Sequence, residues 1–358
     1  MFDRIVQVCA GISPGDGISN IAVDYMRIFI ENNIDSRIVA ESVAPSYKIP
    51  CVYHIPSLEN HITPHTLVIF HKTMVTDVSL RIINLPCQKV LLWHNITPPD
   101  FFKPYNDSMY DLAKRSIQEM VYLAHFIPNA WTNSEYSRNQ LMKLGYKKVD
   151  VLHFPYDFSR FPDTKVRKND MNTNILFVGR IAPNKRHEDI IRAFYYYHQL
   201  NPNSRLTLVG SFTGFENYKK ECELLAKKLS VPVRFVGKVS TKKLASYYQQ
   251  ADLFLCMSEH EGLNIPLLEA MYFDVPVLAF ASSSIKEGIG DAGIVFHKKH
   301  FPYVGHLMHT VLEDKALLSR MKEAGKQRVR YFDKEHNANR LLKLVESYAT
   351  EFSIEEKK

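Results

Sequence analysis

Residues 253–280 read LFLCMSEHEGLNIPLLEAMYFDVPVLAF, and this stretch decides the fold class. The apolar runs at its two ends predict buried strands, and the middle predicts a loop followed by a helix that Pro266 helps to start. Glu261 then lies in the loop at the carboxyl end of the first strand, and Glu269 lies on the helix. Two carboxylates would flank one helix N-terminus, whose free N–H groups attract anions. Since carboxylates also bind hydroxyl groups, the segment predicts a site for a phosphorylated sugar.

The same alternation of strand and helix runs along the whole chain. The predicted strands are residues 5–10, 36–41, 66–71, 89–94, 130–133, 149–154, 174–179, 205–210, 232–237, 253–257, 276–280 and 293–297. Alternation of this kind is typical of parallel sheets covered by helices. Because 358 residues are too many for one ordinary hydrophobic core, we expect an α/β protein with two Rossmann-like domains that face a central cleft.

Composition along the chain predicts the domain boundaries. Residues 158–173 are polar and lack helical periodicity, which predicts a linker between a first domain at residues 1–157 and a second at residues 174–332. The chain is then almost continuously helical in pattern up to residue 352. We expect residues 333–358 to form a separate C-terminal helix with a frayed end.

Overall composition limits the class of protein. The five cysteines form no C-x-x-C pair, which favours a reducing, cytoplasmic compartment. No apolar run is long enough to span a bilayer. The net charge of +7 and the many pairs of basic residues fit solvated helix faces, or attraction to an anionic membrane or a phosphorylated ligand. No nucleic-acid recognition motif accompanies the charge.

Two glycine turns follow predicted strands. Residues 11–17, GISPGDG, open the first helix, and Gly17 would let the backbone approach a phosphate. Short-chain dehydrogenases have similar glycine spacing, but their catalytic serine has no counterpart here. In the second turn Gly179 is followed by Arg180 and Lys185, and two cations in such a loop suit a diphosphate that is neutralised without a metal.

A polar pair ends the fourth predicted strand. His94 and Asn95 follow the apolar run LLW, and Thr97 lies two residues further on. Because ligands of such folds bind at the carboxyl ends of the strands, all three are candidate ligand-binding residues. The other histidines lack acidic or cysteine partners at suitable spacing, so we predict no metal site.

Together these motifs resemble a known family. The runs FVGRI-x3-K at residues 177–185 and SEHEGLNIPLLEAM at residues 258–271 resemble the retaining glycosyltransferases of family four, also called glycosyltransferase group 1, of the bacterial surface-polysaccharide type. The resemblance is continuous from residue 174 to residue 296. In the N-terminal half it is confined to the glycine loop, His94 and residues 132–138.

The resemblance implies the GT-B fold and an enzymatic activity. A hexose would pass from a UDP- or GDP-sugar to a hydroxyl of a saccharide or lipid-linked acceptor, with the anomeric configuration retained and without a cofactor or metal. Residues 1–157 would bind the acceptor, residues 174–332 would bind the nucleotide sugar, and residues 333–358 would cross back onto the first domain. The family also suggests peripheral contact with the inner face of the membrane.

The resemblance further implies roles for single residues. Arg180 and Lys185 would hold the diphosphate, Glu269 the ribose, and Glu261 a hydroxyl of the transferred sugar. The remaining donor-site residues would be Gly17, His94, Gly179, Gly262, Leu263 and Asn264. His94 would act in catalysis together with Arg180, Lys185 and Glu261, and Asn95 and Thr97 would lie on the acceptor side.

Departures from the family leave alternatives open. Leu263 and Asn264 stand where the family usually has Phe-Gly, so the resemblance does not give the donor sugar. GT-B epimerases that act on sugar nucleotides, and GT-B phosphorylases, share the fold and are a second interpretation. A third is a non-catalytic subunit that binds a nucleotide sugar.

Overall fold

A computed structural model describes residues 2–45, 48–162 and 172–355. In chain order the strands are β1 (Arg4–Ile12), β2 (Asp35–Val43), β3 (Val52–His54), β4 (Thr66–Lys72), β5 (Gln88–Trp93), β6 (Asn129–Thr132), β7 (Lys148–Val151), β8 (Thr173–Val178), β9 (Ser204–Val209), β10 (Val233–Gly237), β11 (Leu253–Cys256), β12 (Val277–Phe280) and β13 (Ile294–Phe296). The α-helices are α1 (Gly17–Glu31), α2 (Val78–Ile83), α3 (Asp107–Leu123), α4 (Glu135–Lys143), α5 (His187–Leu200), α6 (Glu216–Lys228), α7 (Thr241–Gln250), α8 (Ile265–Tyr272), α9 (Ile285–Ile289), α10 (Phe301–Glu313), α11 (Lys315–Tyr331) and α12 (Lys334–Glu355).

The chain divides into two compact units. Unit 1 contains Met1–Ile96, Asp111–Asp157 and Phe332–Lys358, and unit 2 contains Thr97–Tyr110 and Phe158–Tyr331. Each unit has one parallel sheet with helices, so the prediction of two Rossmann-like domains is confirmed.

The sheet of unit 1 has seven parallel strands in the order β3-β2-β1-β4-β5-β6-β7. Its central strand β4 is buried along its whole length, as expected of a strand covered on both faces. The C-terminal helix α12 packs in this unit. There the Tyr348 hydroxyl donates to Asp150 at 3.1 Å and its ring lies edge-on to Trp131, with centroids 5.5 Å apart. Lys148 also pairs with Glu351 at 2.6 Å.

The sheet of unit 2 has six parallel strands in the order β10-β9-β8-β11-β12-β13. Two helix contacts in this unit are made at glycines. A Cβ on Gly305 in α10 would lie 2.6 Å from the Cβ of Tyr196 in α5, so only glycine lets these helices approach so closely. Gly325 of α11 faces Met271 of α8 less tightly, since a Cβ there would lie 3.4 Å from the Met271 Cβ, an ordinary van der Waals contact.

The predicted strands all have counterparts, whereas the short edge strand β3 was not predicted. Its three residues follow Cys51, which adopts a left-handed conformation with φ of +64°, and are too few to show an alternating pattern. Asp274 ends α8 with φ of +57°, the conformation in which a glycine is common. Of the predicted linker at residues 158–173, residues 163–171 lie outside the described part, as do residues 356–358 of the predicted C-terminal helix.

One predicted boundary differs from the structure. Residues 97–110 were predicted to belong to the first domain but group with unit 2. The Phe102 ring stacks on Phe215 with centroids 5.6 Å apart, and the Asn106 side chain donates to the Gly214 carbonyl at 2.8 Å. These contacts join residues that are more than a hundred positions apart in sequence, so no local pattern could have indicated them.

Candidate functional site

The carboxyl ends of β8 and β11 bring two predicted site residues together. These strands are parallel neighbours, so the loops that follow them meet at one edge of the sheet. Lys185 from the first loop forms an ion pair with Glu261 from the second. Asn184 fixes the loops to each other, because its carbonyl accepts from Glu259 N–H at 2.9 Å and its side chain donates to the His260 carbonyl at 3.1 Å.

The Glu261 carboxylate has a partner on each oxygen. Lys185 contacts Oε2, and the Asn264 side chain donates to Oε1 at 3.0 Å. The backbone of Glu261 is held as well, since its N–H donates to the Ser283 hydroxyl at 2.8 Å and its carbonyl accepts from the Ser284 hydroxyl at 3.2 Å. The side chain of Glu261 is only 6% exposed. A carboxylate with so little freedom is preorganised for one direction of binding.

The start of α8 lies next to this carboxylate. Gly262 and Leu263 form the turn before the helix, and both are partly exposed. Asn264 occupies the N-cap position but makes no capping hydrogen bond, because its side chain points to Glu261 and to the Cys256 sulfur at 3.4 Å. The first turn of α8 is instead closed by the backbone, since Ile265 N–H donates to the Leu263 carbonyl and Leu267 N–H to the Asn264 carbonyl, both at 3.0 Å, and Pro266 has no N–H. The positive end of the helix dipole still favours an anion there.

Glu269 lies on α8 and is almost fully buried. Its Oε2 accepts a hydrogen bond from the Tyr248 hydroxyl at 2.7 Å. Tyr248 comes from α7, and its ring stacks on Phe273 with centroids 5.4 Å apart. Glu269 therefore lies on the helix that follows the turn at Gly262, and its carboxylate is held by a tyrosine that the sequence did not indicate.

Arg180 is exposed, but its guanidinium is held in place. Nη2 donates to the Thr213 carbonyl at 2.9 Å, and the guanidinium carbon lies 4.9 Å from the centroid of the Phe215 ring. Gly179 precedes it at the end of β8. The neighbouring Gly210 approaches so closely that a Cβ there would lie 1.9 Å from the Gly179 carbonyl oxygen. The backbone on which Arg180 is mounted is therefore tightly packed.

In unit 1 the glycine loop opens α1 next to a pocket. The Asp16 carboxylate caps the helix by accepting from Ser19 N–H at 2.8 Å, and a Cβ on Gly17 would meet nothing within 4 Å. The pocket has a volume of about 540 Å³ and is lined in part by Gly11, Ser13, Asp16, Ser42, His71 and Thr73. Its hydroxyl and carboxylate groups suit a polar ligand with hydroxyl groups.

His94 follows β5 in unit 1 and is half-buried. Its Nε2 lies 2.9 Å from Nδ1 of His71, and burial lowers the pKa of His94 to about 3. Burial also lowers the pKa of His71 well below its usual value. Both rings are therefore neutral at physiological pH.

The two acceptor-side candidates lie on either side of a boundary between the two units. Asn95 has φ of +74°, and its Oδ1 accepts from the Ile96 N–H at 2.9 Å. Thr97 groups with unit 2, whereas Asn95 belongs to unit 1. Their role on the acceptor side stays a prediction.

Several residues that shape the site were missed in the sequence. They are Gln7, His71, Thr213, Phe215 and Tyr248, together with the side chain of Asn264. One of them had a detectable signal, because His71 comes near the end of β4, just as His94 follows the neighbouring strand β5. The others act through contacts between distant parts of the chain.

Across residues 2–45, 48–162 and 172–355, no group of three His, Cys, Asp or Glu side chains is arranged to hold a metal ion. Within the same ranges, no helix has the length and apolar character needed to cross a bilayer.

Comparison with known proteins gives sequence relatives. Residues 160–328 match the family model of glycosyl transferases group 1. An alpha-monoglucosyldiacylglycerol synthase of Acholeplasma laidlawii is 31% identical over 144 residues, which are 40% of this chain and 35% of that protein. An uncharacterized glycosyltransferase of Haemophilus influenzae is 30% identical over 241 residues, 66% of this chain and 61% of that protein. The chain thus spans less than two thirds of the length of these relatives.

Solved structures match over nearly the whole chain. HepE of Anabaena, crystallised in complex with UDP and glucose, superposes with a TM-score of 0.75 at 16% identity, covering 96% of this chain and 99% of that one. WaaG, a glycosyltransferase involved in lipopolysaccharide biosynthesis, superposes with a TM-score of 0.72 at 15% identity, covering 94% and 98%. At such identities the likeness shows the fold, which is GT-B. The whole chain thus has the GT-B fold, and its segment 160–328 matches the glycosyl transferases group 1 family.

Proposed function

We propose that the protein is a metal-independent, retaining hexosyltransferase that uses a UDP- or GDP-sugar as donor and a saccharide or lipid-linked hydroxyl as acceptor. The observation that carries the proposal is the ion pair of Lys185 and Glu261 beside the start of α8. It places a cation and a carboxylate at one edge of a parallel sheet, beside the positive end of a helix dipole. A sugar phosphate can use all three, because the cation and the helix dipole favour its phosphate and the carboxylate accepts from a hydroxyl.

The donor's diphosphate is the ligand for the cations. Arg180 offers a planar guanidinium whose direction is fixed by the Thr213 carbonyl and the Phe215 ring, so it can bind two phosphate oxygens at little entropic cost. Lys185 adds a second charge, and the N-terminus of α8 adds the positive end of a helix dipole. Glu269 would bind the ribose hydroxyls and Glu261 a hydroxyl of the hexose.

The chemical step needs no protein nucleophile. The bond between the anomeric carbon and the phosphate oxygen breaks, the acceptor oxygen bonds to that carbon from the same face, and the acceptor proton passes to the leaving phosphate. Arg180 and Lys185 stabilise the charge that develops on the diphosphate. A preorganised donor of this kind lowers the barrier by about 3–4 kcal/mol.

The class of acceptor is proposed from the relatives and from the surface of unit 1. The Acholeplasma laidlawii relative is named for a glycolipid product, and a Campylobacter jejuni relative, 27% identical over 209 residues, is named for an undecaprenol-linked saccharide. Val121, Tyr122 and Phe126 are exposed near the end of α3, and the chain carries a net charge of +7. We therefore propose a surface-glycan role in the cytoplasm with peripheral contact with anionic lipid. Failure to bind anionic liposomes at low salt would contradict this contact.

Turnover of candidate donors tests the reaction. The protein is incubated with UDP- and GDP-hexoses, with and without lipid-linked saccharide acceptors, and products are identified by mass spectrometry and NMR. Transfer only in the presence of acceptor, with an unchanged anomeric configuration and without inhibition by EDTA, supports the proposal. Conversion of the donor alone would indicate an epimerase. Inversion of the anomeric configuration would show that the enzyme is not retaining. Loss of activity in EDTA would show that it depends on a metal ion.

A further inference from the structure

A chain of hydrogen bonds joins the backbone of α1 to His94. Nε2 of Gln7 lies 2.8 Å from the Ala22 carbonyl, Oε1 of Gln7 lies 2.9 Å from Nε2 of His71, and Nδ1 of His71 lies 2.9 Å from Nε2 of His94. Gln7 is fully buried and His71 is 4% exposed. The two imidazole rings stack with centroids 5.1 Å apart.

The chemistry of the first link fixes the position of every proton in the chain. A backbone carbonyl only accepts, so Gln7 must direct its NH2 group to Ala22 and its oxygen to His71. His71 must then carry its proton on Nε2. Since a neutral imidazole has one ring proton, Nδ1 of His71 is an acceptor, and Nε2 of His94 must donate to it. Nδ1 of His94 is left with a lone pair.

Both rings are neutral, which this assignment requires. Burial lowers the pKa of each imidazole, to about 3 for His94. Two imidazolium rings stacked at this distance would also repel each other. In the described part of the chain, the imidazole ring of His94 makes no second hydrogen bond. Its Nδ1 is therefore available to a ligand as an acceptor.

We propose that Gln7 and His71 are positioning residues that hold His94 as the Nε2–H tautomer, so that Nδ1 accepts a hydrogen bond from a sugar hydroxyl. The choice of hydroxyl rests on the proposed function. An acceptor atom matches a hydroxyl, which can donate, and mismatches a phosphate, whose oxygens only accept when ionised. His71 also lines the pocket of about 540 Å³, whose wall includes three side-chain hydroxyl groups.

The tautomer is measured without any ligand. In protein labelled with ¹⁵N-histidine at pH 7.5, two-bond ¹H–¹⁵N spectra distinguish a protonated ring nitrogen from a bare one, and a His94→Gln variant assigns the signals. We expect a protonated Nε2 and a bare Nδ1 in His94. A protonated Nδ1 would overturn the proposal.

The variant Gln7→Met tests the role of Gln7. It removes the acceptor that forces the proton of His71 onto Nε2, so we expect His94 to become a mixture of tautomers. Ser36→Ala, which removes a buried hydroxyl from the adjacent strand β2, is the control and is expected to leave the His94 signals unchanged. An unchanged His94 tautomer in folded Gln7→Met protein would show that Gln7 has no such role.

Ligand affinities identify the source of the hydroxyl. Calorimetry compares UDP-glucose with UDP and GDP-mannose with GDP. If the hydroxyl belongs to the donor hexose, Gln7→Met lowers the affinity for whichever nucleotide sugar binds by about tenfold, as expected for one lost hydrogen bond. The affinity for the corresponding nucleotide without the sugar stays unchanged. If the hydroxyl belongs to the acceptor, the variant keeps its affinity for the donor and its KM for the acceptor rises. If Gln7→Met lowered the affinities for the nucleotide sugar and for the nucleotide by the same factor, the proposal would be overturned. Absence of binding by all four probes would contradict the proposed function alone, because the spectra decide the tautomer independently.

Discussion

Lys185 and Glu261 lie 76 positions apart in sequence and form an ion pair at the edge of the unit 2 sheet. The side chain of Lys185 is 20% exposed and that of Glu261 is 6% exposed. Water can therefore solvate the lysine alone far better than the glutamate alone. We therefore expect the protein to lose more stability when Glu261 is left without Lys185 than when Lys185 is left without Glu261.

The first prediction concerns this asymmetry. Lys185→Met leaves a buried carboxylate without its cation and is expected to lower the free energy of unfolding by about 3 kcal/mol, whereas Glu261→Gln should cost about 1 kcal/mol or less. Urea denaturation of both variants and of the double variant measures the difference. Equal losses would show that the buried carboxylate does not depend on Lys185.

The second prediction concerns Arg180. Arg180→Ala removes a preorganised donor to the diphosphate and is expected to lower kcat/KM at least about 100-fold with little change in stability, because the side chain is exposed. Arg180→Lys keeps the charge but loses the planar fork and should recover only part of the rate. The matched control is Arg81→Ala, which removes an exposed arginine that pairs with Glu59. Full activity in Arg180→Ala would exclude it from the donor site.

The third prediction concerns Tyr248 and Glu269. Tyr248→Phe deletes the hydroxyl that donates to Glu269 at 2.7 Å and leaves the buried carboxylate less well satisfied, at a cost of about 1–3 kcal/mol in unfolding free energy. If Glu269 binds the ribose, the affinity for the free nucleotide must fall as well. Calorimetry with UDP and GDP measures this affinity in Tyr248→Phe and in the unaltered protein. If the affinity for the nucleotide that binds were unchanged, Glu269 would not bind the ribose.

The loops of the site show how far sequence reasoning reaches. The meeting of Lys185 and Glu261 could be predicted, because each belongs to a short motif that follows an apolar strand, and the position of Glu269 on a helix followed from the proline that starts it. The direction of the Asn264 side chain could not, since the N-cap position predicts a bond to its own helix and the side chain instead reaches Glu261. The packing of Phe102 on Phe215 could not be predicted either, because it joins distant segments of the chain.

The fourth prediction concerns stability at low pH. His187 is fully buried between the Phe177 and Tyr218 rings, and burial lowers its pKa to about 3. Its folded-state pKa lies below that of the unfolded chain, near 6.5, so the unfolded chain binds the proton more tightly. Stability is therefore fully present above about pH 6.5 and falls as pH drops toward 3, by up to about 1.4 kcal/mol per pH unit for this residue.

The variant His187→Phe isolates this contribution. It keeps an aromatic ring but cannot bind a proton, so its unfolding free energy should fall less than that of the unaltered protein between pH 6.5 and pH 5. The control is the variant His306→Gln, which replaces an exposed histidine. An identical slope for the unaltered protein and His187→Phe would contradict the assignment of a neutral, buried His187.

Binding of a nucleotide sugar tests the central claim most directly. The protein and its Arg180→Ala variant are heated with UDP- and GDP-hexoses and with the corresponding nucleotides, and the melting temperature is recorded for each. A ligand present at about 100 times its dissociation constant adds roughly 2.7 kcal/mol of stability. The account predicts that at least one nucleotide sugar raises the melting temperature of the unaltered protein and has a much smaller effect on Arg180→Ala. No shift with any of these ligands, or the same shift in both proteins, would contradict it.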